Sequence, residues 1–232
     1  MITFENITKT YGGTTVLNIP SLQIESGQTI GLVGNNGAGK TTMFSVLLDL
    51  IRTTTGTVTL KGEDVSKTEY WKAFTGSYLD ENYLIGYLKP EEYFYFVGDL
   101  YNWNKAQVDT FLEQFTEIFS GEILGKAKYI RDLSKGNQKK VGIIAALIGD
   151  PDIIILDEPF ANLDPTTQFR LQELIRTLPE DKTILISSHD LNHVAEVCDR
   201  ILIMEKGELV RDTMKSENTL EELRTFFAVS AG

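Results

Sequence analysis

The sequence contains a single cysteine, Cys198, among its 232 residues. One cysteine excludes an internal disulfide framework and fits a reducing cytosol, so we interpret Cys198 as a small buried apolar residue. Positive charge is also scarce, since 22 lysines and arginines are outnumbered by 33 aspartates and glutamates, for a net charge of −11. This deficit argues against nucleic acid as a partner, because phosphate backbones demand a basic footprint.

Long apolar runs are missing as well. The longest uncharged, apolar-rich stretch, from Val141 to Gly149, is far shorter than the ~20 residues that a membrane helix needs. If the protein works at a membrane, another chain must therefore cross it. The hydrophobic content of 42% is ordinary for a globular protein, and the length fits one large domain or one domain with an inserted lobe.

A glycine-rich segment at residues 34–42, G-N-N-G-A-G-K-T-T, matches the pattern G-x-x-x-x-G-K-[ST]. It follows an apolar run at 30–33 and precedes a helical pattern at 43–48, so strand, loop and helix come in the order of a phosphate-binding loop. Lys40 would reach the β- and γ-phosphates, and the Thr41 hydroxyl would bind Mg²⁺. The predicted nucleotide contacts here are Gly34, Asn35, Asn36, Gly37, Ala38, Gly39, Lys40, Thr41 and Thr42. The alternative, an ordinary glycine turn that caps a helix, is disfavoured by the motifs that follow.

Two kinds of strand pattern predict the fold class. Apolar and polar residues alternate at 2–8 and 22–25, and turns follow residues 22–25 and 58–60. These patterns predict an antiparallel edge β-subdomain. The runs 153–156, 183–186 and 201–204 are apolar throughout, which is typical of a parallel sheet covered by helices on both faces. An amphipathic helix is expected at 165–178. The sequence therefore predicts an α/β P-loop NTPase core with a mostly parallel sheet.

Residues 83–132 are rich in aromatics and show helical periodicity, which predicts a helical lobe inserted into the core. We expect one domain over residues 1–232, with a core of 1–82 and 151–232 and a lobe of about 83–150. The tail from 219 to 229 has apolar residues at helical spacing.

An acidic pair, Asp157 and Glu158, follows the apolar run 153–156, so both carboxylates lie where ligands bind in parallel sheets. One carboxylate can hold Mg²⁺ while the next activates a water against the γ-phosphate. We assign the metal to Asp157 and the catalytic base to Glu158. By itself such a pair could be an exposed turn, but it lies downstream of a phosphate-binding loop.

The segment L-S-K-G-N-Q at 133–138 precedes an apolar helix at 141–148, which Ser134 would cap. Here the chain resembles the ATP-binding cassette (ABC) family, whose signature reads LSGGQ. The resemblance extends from about residue 2 to residue 227, with the motifs in family order. It implies that Ser134 and Gly136 contact the nucleotide of a partner subunit.

The resemblance also implies roles for residues outside these motifs. Tyr11 would stack on adenine, although it could instead be a structural turn tyrosine. Residues 161–164, A-N-L-D, resemble the loop that crosses to the partner subunit. His189 matches the histidine that contacts the γ-phosphate and is assigned a catalytic role, whereas His193 is interpreted as structural.

Two positions depart from the family pattern. The signature has Lys135 in place of a glycine and Asn137 in place of the glutamine, while Ser134 and Gly136 remain. The glutamine expected shortly after Tyr78 is replaced by Glu81, a carboxylate that could hold metal or water beside the phosphates.

The resemblance implies an ATPase that uses ATP and Mg²⁺, dimerises on ATP, and powers a separate transmembrane permease from the cytoplasmic face of the cell membrane. The dimer would form with a second copy or with another ABC subunit. The single cassette, Glu81 and the S-K-G signature favour an exporter over an importer. The alternative is a soluble ABC ATPase that drives a non-transport assembly, such as iron–sulfur cluster scaffolding.

Overall fold

A computed structural model describes residues 1–216 and residue 221, and it divides the chain into two compact units. The first unit combines residues 1–71 with the described residues from 179 onward, and the second comprises 72–178. In the described part of the chain, no helix combines the length and the apolar character that crossing a membrane requires. The helical pattern expected at 219–229 lies outside the described residues, Glu221 excepted.

The structure has ten strands and seven α-helices among its described residues. The strands are β1 (Ile2–Tyr11), β2 (Thr14–Ile24), β3 (Thr29–Val33), β4 (Thr55–Leu60), β5 (Glu63–Asp64), β6 (Thr75–Tyr78), β7 (Ile153–Leu156), β8 (Thr183–Ser188), β9 (Arg200–Glu205) and β10 (Glu208–Met214). The helices are α1 (Lys40–Leu47), α2 (Pro90–Leu100), α3 (Lys105–Glu113), α4 (Thr116–Phe119), α5 (Lys135–Ala145), α6 (Pro165–Thr177) and α7 (Leu191–Val197). Single 3-10 turns occur at Tyr70–Phe74, Glu81–Tyr83 and Ile130–Asp132.

The first unit is a mixed sheet in the order β5-β4-β1-β2-β10-β9-β3-β8. Strand β1 pairs antiparallel with β2 and β4, as the alternating sequence predicts, and its residues Ile2, Phe4 and Ile7 are buried. Strand β3 pairs in parallel with both β8 and β9. The apolar runs of β8 and β9 are buried almost throughout, because neither face of this part of the sheet meets solvent. Cys198 is buried as expected, and burial raises the pKa of its thiol.

The second unit combines the parallel pair β6 and β7 with helices α2 to α6. Its helical part is filled by aromatic rings, as the composition of residues 83–132 predicts. Phe94 and Phe119 are fully buried with ring centroids 5.9 Å apart, and Phe115 lies 4.9 Å from Phe111. Tyr83 and Tyr87 are 61% and 69% exposed, so these two rings do not contribute to that core.

Helix α5 begins at Lys135, directly after its cap Ser134 as expected, and it ends at Ala145, before the end of the apolar run at 148. The units divide at residues 71/72 and 178/179, so β6, β7 and α6 group with the helical lobe rather than with the first unit. The expected division into one domain with a lobe at about 83–150 stays a prediction.

Candidate functional site

The glycine-rich loop leaves β3 at Val33 and enters α1 at Lys40. Gly39 is the N-cap residue of α1, with φ +110°, a conformation that L side chains rarely adopt. A Cβ atom there would lie 3.2 Å from both the Gly207 Cα and the Met204 Sδ, so the turn requires glycine. No side chain caps α1, and the first N–H groups of a helix can donate to an anion bound at its N-terminus.

Lys40 lies at the centre of this loop and is only 6% exposed. Its Nζ donates to the carbonyl oxygen of Gly34 at 2.6 Å and to that of Asn35 at 3.4 Å. The loop thus holds a buried ammonium group at the first residue of α1, while Asn36 and Thr41 are exposed. An ammonium group and the positive end of a helix both favour a phosphate group, so this arrangement fits a nucleotide.

His189 follows β8 directly and is exposed. Because β3 and β8 are parallel, with Val33 opposite Ser188, His189 leaves the sheet at the same edge as Gly34. The pairing therefore brings the predicted histidine to the edge where the phosphate-binding loop begins. His193 is on α7, with its Nδ1 4.0 Å from an Asp190 carboxylate oxygen, which agrees with a structural role.

Tyr11 ends β1 and is 52% exposed. The Nζ of Lys9 lies 4.6 Å from the centroid of its ring, so a cation covers part of one face. An exposed ring of this kind can stack on a planar ligand. The stacking role of Tyr11 stays a prediction.

The acidic pair follows β7 in the second unit. Asp157 is 4% exposed, and its backbone N–H donates to the carbonyl oxygen of Tyr78 at 2.8 Å, which ties the end of β7 to the end of β6. Glu158 adopts φ +47°, in the left-handed region that is uncommon for a residue with a side chain. Backbone strain of this kind concentrates at functional sites, so the conformation agrees with a specific task for Glu158.

Glu81 begins the 3-10 turn Glu81–Tyr83, shortly after β6. The Glu81 carboxylate lies near the Tyr78 phenol, and burial together with this negative neighbour raises the pKa of Tyr78. The role of Glu81 in holding metal or water stays a prediction, and the structure adds that its carboxylate lies near the Tyr78 phenol.

Sequence analysis missed Lys139 on α5. This side chain is 4% exposed, and its Nζ donates to the backbone carbonyl oxygen of Glu158 at 2.6 Å. Burial lowers its pKa, whereas four carboxylates act in the opposite direction, those of Glu81, Glu158, Asp157 and Asp80. A lysine in a helix is ordinarily solvent-exposed, and no motif marks this one, so nothing in the sequence pattern indicates its burial.

The signature residues occupy the start of α5. The Ser134 Oγ accepts from the Asn137 backbone N–H at 3.2 Å, which confirms it as the helix cap. A Cβ atom on Gly136 would lie 3.0 Å from the Asn162 carbonyl oxygen, so glycine allows the signature turn to approach residues 161–164 closely. Asp164 caps α6, and hydrogen bonds from Thr167 hold the pKa of Asp164 below its usual value.

The predicted site residues thus form two sets. The loop residues 34–42, Tyr11 and His189 lie in the first unit, whereas Glu81, the signature residues and the acidic pair lie in the second.

A family profile described as ABC transporter matches residues 17–161, a span that includes the glycine-rich loop, the signature and the acidic pair. The chain belongs to the ABC transporter family. It is 38% identical to an uncharacterised ABC transporter ATP-binding protein of Methanocaldococcus jannaschii, over 90% of this chain and 76% of the relative. The ABC transporter ATP-binding protein NatA of Bacillus subtilis is 35% identical, over 82% of this chain and 78% of the relative.

A carnitine transport ATP-binding protein of Listeria monocytogenes is 31% identical, over 91% of this chain and 54% of the relative. Among solved structures, a dimeric bacterial ABC transporter cassette superposes with a TM-score of 0.81 at 24% identity, covering 93% of this chain and 99% of that chain. These findings confirm the family, the P-loop cassette fold and the ATPase class that the motifs predict.

Proposed function

We propose that this ABC protein binds ATP with Mg²⁺, dimerises on it, hydrolyses it, and thereby powers a separate transmembrane permease. The observation that carries the proposal is the anion cradle around Lys40, a buried ammonium group on the first residue of α1, a helix that no side chain caps. Hydrogen bonds between a charged donor and phosphate oxygens are strong ones, and a triphosphate is the ligand that the family name suggests.

The catalytic roles follow from the chemistry of each group. The loop N–H groups and Lys40 bind the β- and γ-phosphates, which fixes the γ-phosphoryl group for attack. The Glu158 carboxylate accepts a proton from the attacking water, and His189 donates a hydrogen bond to the γ-phosphate. Ser134 and Gly136 of a second subunit contact the same phosphate from the opposite side.

The residues proposed for Mg²⁺ have the chemistry that this ion prefers. Mg²⁺ takes oxygen ligands, keeps several waters and is held by one or two carboxylates together with substrate phosphates. Thr41 supplies a hydroxyl in the first turn of α1, and the carboxylates of Asp157 and Glu81 are acidic oxygens in the second unit. Bound there, the ion would neutralise charge on the phosphates.

The transport role rests on the relatives, whose names are those of transporter ATP-binding proteins. We favour an exporter, because the S-K-G signature and the glutamate at position 81 resemble those of exporter subunits. The relatives do not favour the alternative of a soluble ATPase in iron–sulfur cluster assembly. The protein would then lie on the cytoplasmic face of the membrane, held by its permease.

We expect the protein to be monomeric without nucleotide and dimeric with Mg-ATP, because one loop covers only one side of a bound phosphate. The experiment is light scattering on Glu158→Gln with and without Mg-ATP, since slow hydrolysis prolongs the complex. The mass should double on adding ATP. In this background, Ser134→Arg should prevent the increase, because its side chain would enter the opposing nucleotide site.

Thr110→Arg is the matched control for this substitution. Thr110 is exposed on α3 in the same unit, so the change adds the same bulk and charge away from the signature. A mass that stays monomeric at high protein concentration in Mg-ATP would contradict homodimerisation.

The permease contact is expected at the turn after β6, where Tyr83 and Tyr87 expose apolar rings. Co-purification in mild detergent should recover a polytopic membrane protein with the wild-type chain. Changing both tyrosines to serine should reduce that recovery while soluble ATP hydrolysis is retained, because neither ring belongs to the aromatic core.

Tyr129→Ser is the control, since Tyr129 is 44% exposed in the same unit. Undiminished recovery by a folded double variant would place the permease contact elsewhere. Recovery of soluble partners alone would contradict the transport role.

A further inference from the structure

Lys139 carries a buried charge that has no role in the proposed mechanism. It lies in the second turn of α5, is 4% exposed, and donates to the backbone carbonyl oxygen of Glu158 at 2.6 Å. A buried ammonium group is costly unless it is hydrogen-bonded and balanced by opposite charge. The aromatic, charged and hydrogen-bonded neighbours of Lys139 should therefore indicate the function of this charge.

The aromatic partner of Lys139 is Tyr78, at the end of β6. The Lys139 Nζ lies 5.8 Å from the centroid of this ring. One turn further along α5, a Cβ atom on Gly142 would lie 2.3 Å from the ring, so the missing side chain lets the ring lie directly against the helix. The phenol of Tyr78 in turn lies near the Glu81 carboxylate. Helix α5, the end of β6 and the turn after β7 thus meet around one ammonium group.

The electrostatic partners of Lys139 are four carboxylates, those of Glu81, Glu158, Asp157 and Asp80. All four belong to the ends of β6 and β7, and like charges so placed repel one another. Lys139 is the cation that offsets this repulsion from within α5. Its loss would leave the acidic pair without that compensation.

The hydrogen-bond partner of Lys139 is Glu158, whose backbone conformation is strained. Glu158 has φ +47°, a conformation disfavoured for residues with a Cβ atom and maintained only by surrounding contacts. The Glu158 carbonyl group, which accepts from Lys139, and the Glu158 side chain are bonded to the same Cα atom. Holding the carbonyl therefore restricts the direction of the carboxylate.

We propose that Lys139 is a positioning residue for hydrolysis: its ammonium group holds the left-handed backbone of Glu158 and so directs the Glu158 carboxylate at the attacking water. The inference rests on the proposed role of Glu158 as the base. Lys139 acts through Glu158 and not on the nucleotide. Because Ser134 caps α5 and Lys139 lies on it, the signature segment and the residue that holds Glu158 belong to one helix.

The test is steady-state ATP hydrolysis by Lys139→Met, which retains the length of the side chain and removes its charge and donor. We expect kcat to fall about tenfold or more with the KM for ATP within about twofold of wild type, because a displacement of about 1 Å at a catalytic group can cost 10²-fold. Lys139→Arg retains charge and donors and should recover part of kcat. If Lys139→Met does not fold, Lys139→Gln is too short to reach the carbonyl and should show the same loss.

Lys140→Met is the matched control. Lys140 is the next residue on α5 and is 6% exposed, so this variant also removes a buried lysine from the helix, and its kcat should remain within about twofold of wild type. Wild-type kcat in a folded Lys139→Met, or an equal loss in Lys140→Met, would overturn the proposal.

A second readout separates this inference from the proposed function. Amide hydrogen exchange over residues 157–163 should be faster in Lys139→Met than in wild type and unchanged in Lys140→Met, because only the first releases the Glu158 carbonyl. Glu158→Gln, assayed in parallel, tests the base itself. If Glu158→Gln hydrolyses ATP normally, the proposed base is wrong, and the exchange rates alone decide whether Lys139 holds this segment. Unchanged exchange in Lys139→Met would overturn the positioning role whatever the result for Glu158.

Discussion

Glu158→Gln is expected to bind ATP with near wild-type affinity and to hydrolyse it about 10²-fold or more slowly, the usual contribution of a general base. The substitution retains the size of the side chain and removes the group that accepts the proton of the attacking water. Glutamine, like glutamate, must adopt φ +47° at this position, so the backbone should be unchanged. The measurements are nucleotide affinity by titration and phosphate release at saturating Mg-ATP.

Glu173→Gln provides the matched control for this change. Glu173 is partly exposed on α6 in the same unit, where it pairs with Arg176, so the chemical change is identical but remote from the acidic pair. Its hydrolysis rate should equal that of the wild type. Normal phosphate release by Glu158→Gln would remove Glu158 as the base and leave the acidic pair with the metal alone.

Lys40→Ala should weaken ATP binding about 30-fold or more, because truncating one member of a buried charge pair costs about 2–5 kcal/mol and 1.4 kcal/mol is tenfold. The variant loses the ammonium group at the centre of the loop. It also loses the bonds from Lys40 to Gly34 and Asn35, so thermal unfolding should be recorded with the affinity. Hydrolysis should fall with binding.

Lys67→Ala removes the same charge from the first unit without touching the loop, since the Lys67 side chain is 77% exposed and pairs with Asp64. Its ATP affinity should match that of the wild type. Wild-type affinity in a folded Lys40→Ala would exclude the cradle as the phosphate site and with it the proposed mechanism.

The elements that the sequence predicted are those with a local signal. Strand β7 occupies 153–156 as the apolar run indicates, and α6 covers 165–177 of the predicted 165–178. Helix α5 begins at Lys135, as the cap at Ser134 indicates, and it ends at Ala145, before the end of the apolar run at 148. The polar residues Gln138, Lys139 and Lys140 near its start are nevertheless buried, which no local pattern indicates.

In the candidate site, too, only the features with a local sequence pattern could be predicted. The loop at 34–42, the acidic pair and Ser134 could be recognised because glycine spacing, a carboxylate after an apolar strand and a helix cap are short-range patterns. Their order along the chain was enough to indicate the family. The pattern could not show the left-handed conformation of Glu158 or the bond from Lys139, because both depend on residues from separate elements.

The sequence by itself therefore determined which residues carry the chemistry and to which family the chain belongs. Tertiary structure alone decided how those residues are held. Parallel pairing of β3 with β8 brings His189 to the edge at Gly34, although about 150 residues separate them. Close packing of Tyr78 on α5 encloses Lys139 beside the acidic pair. Both arrangements arise because burying apolar strands and helix faces is the dominant favourable term in folding, and that burial joins segments that no local pattern connects.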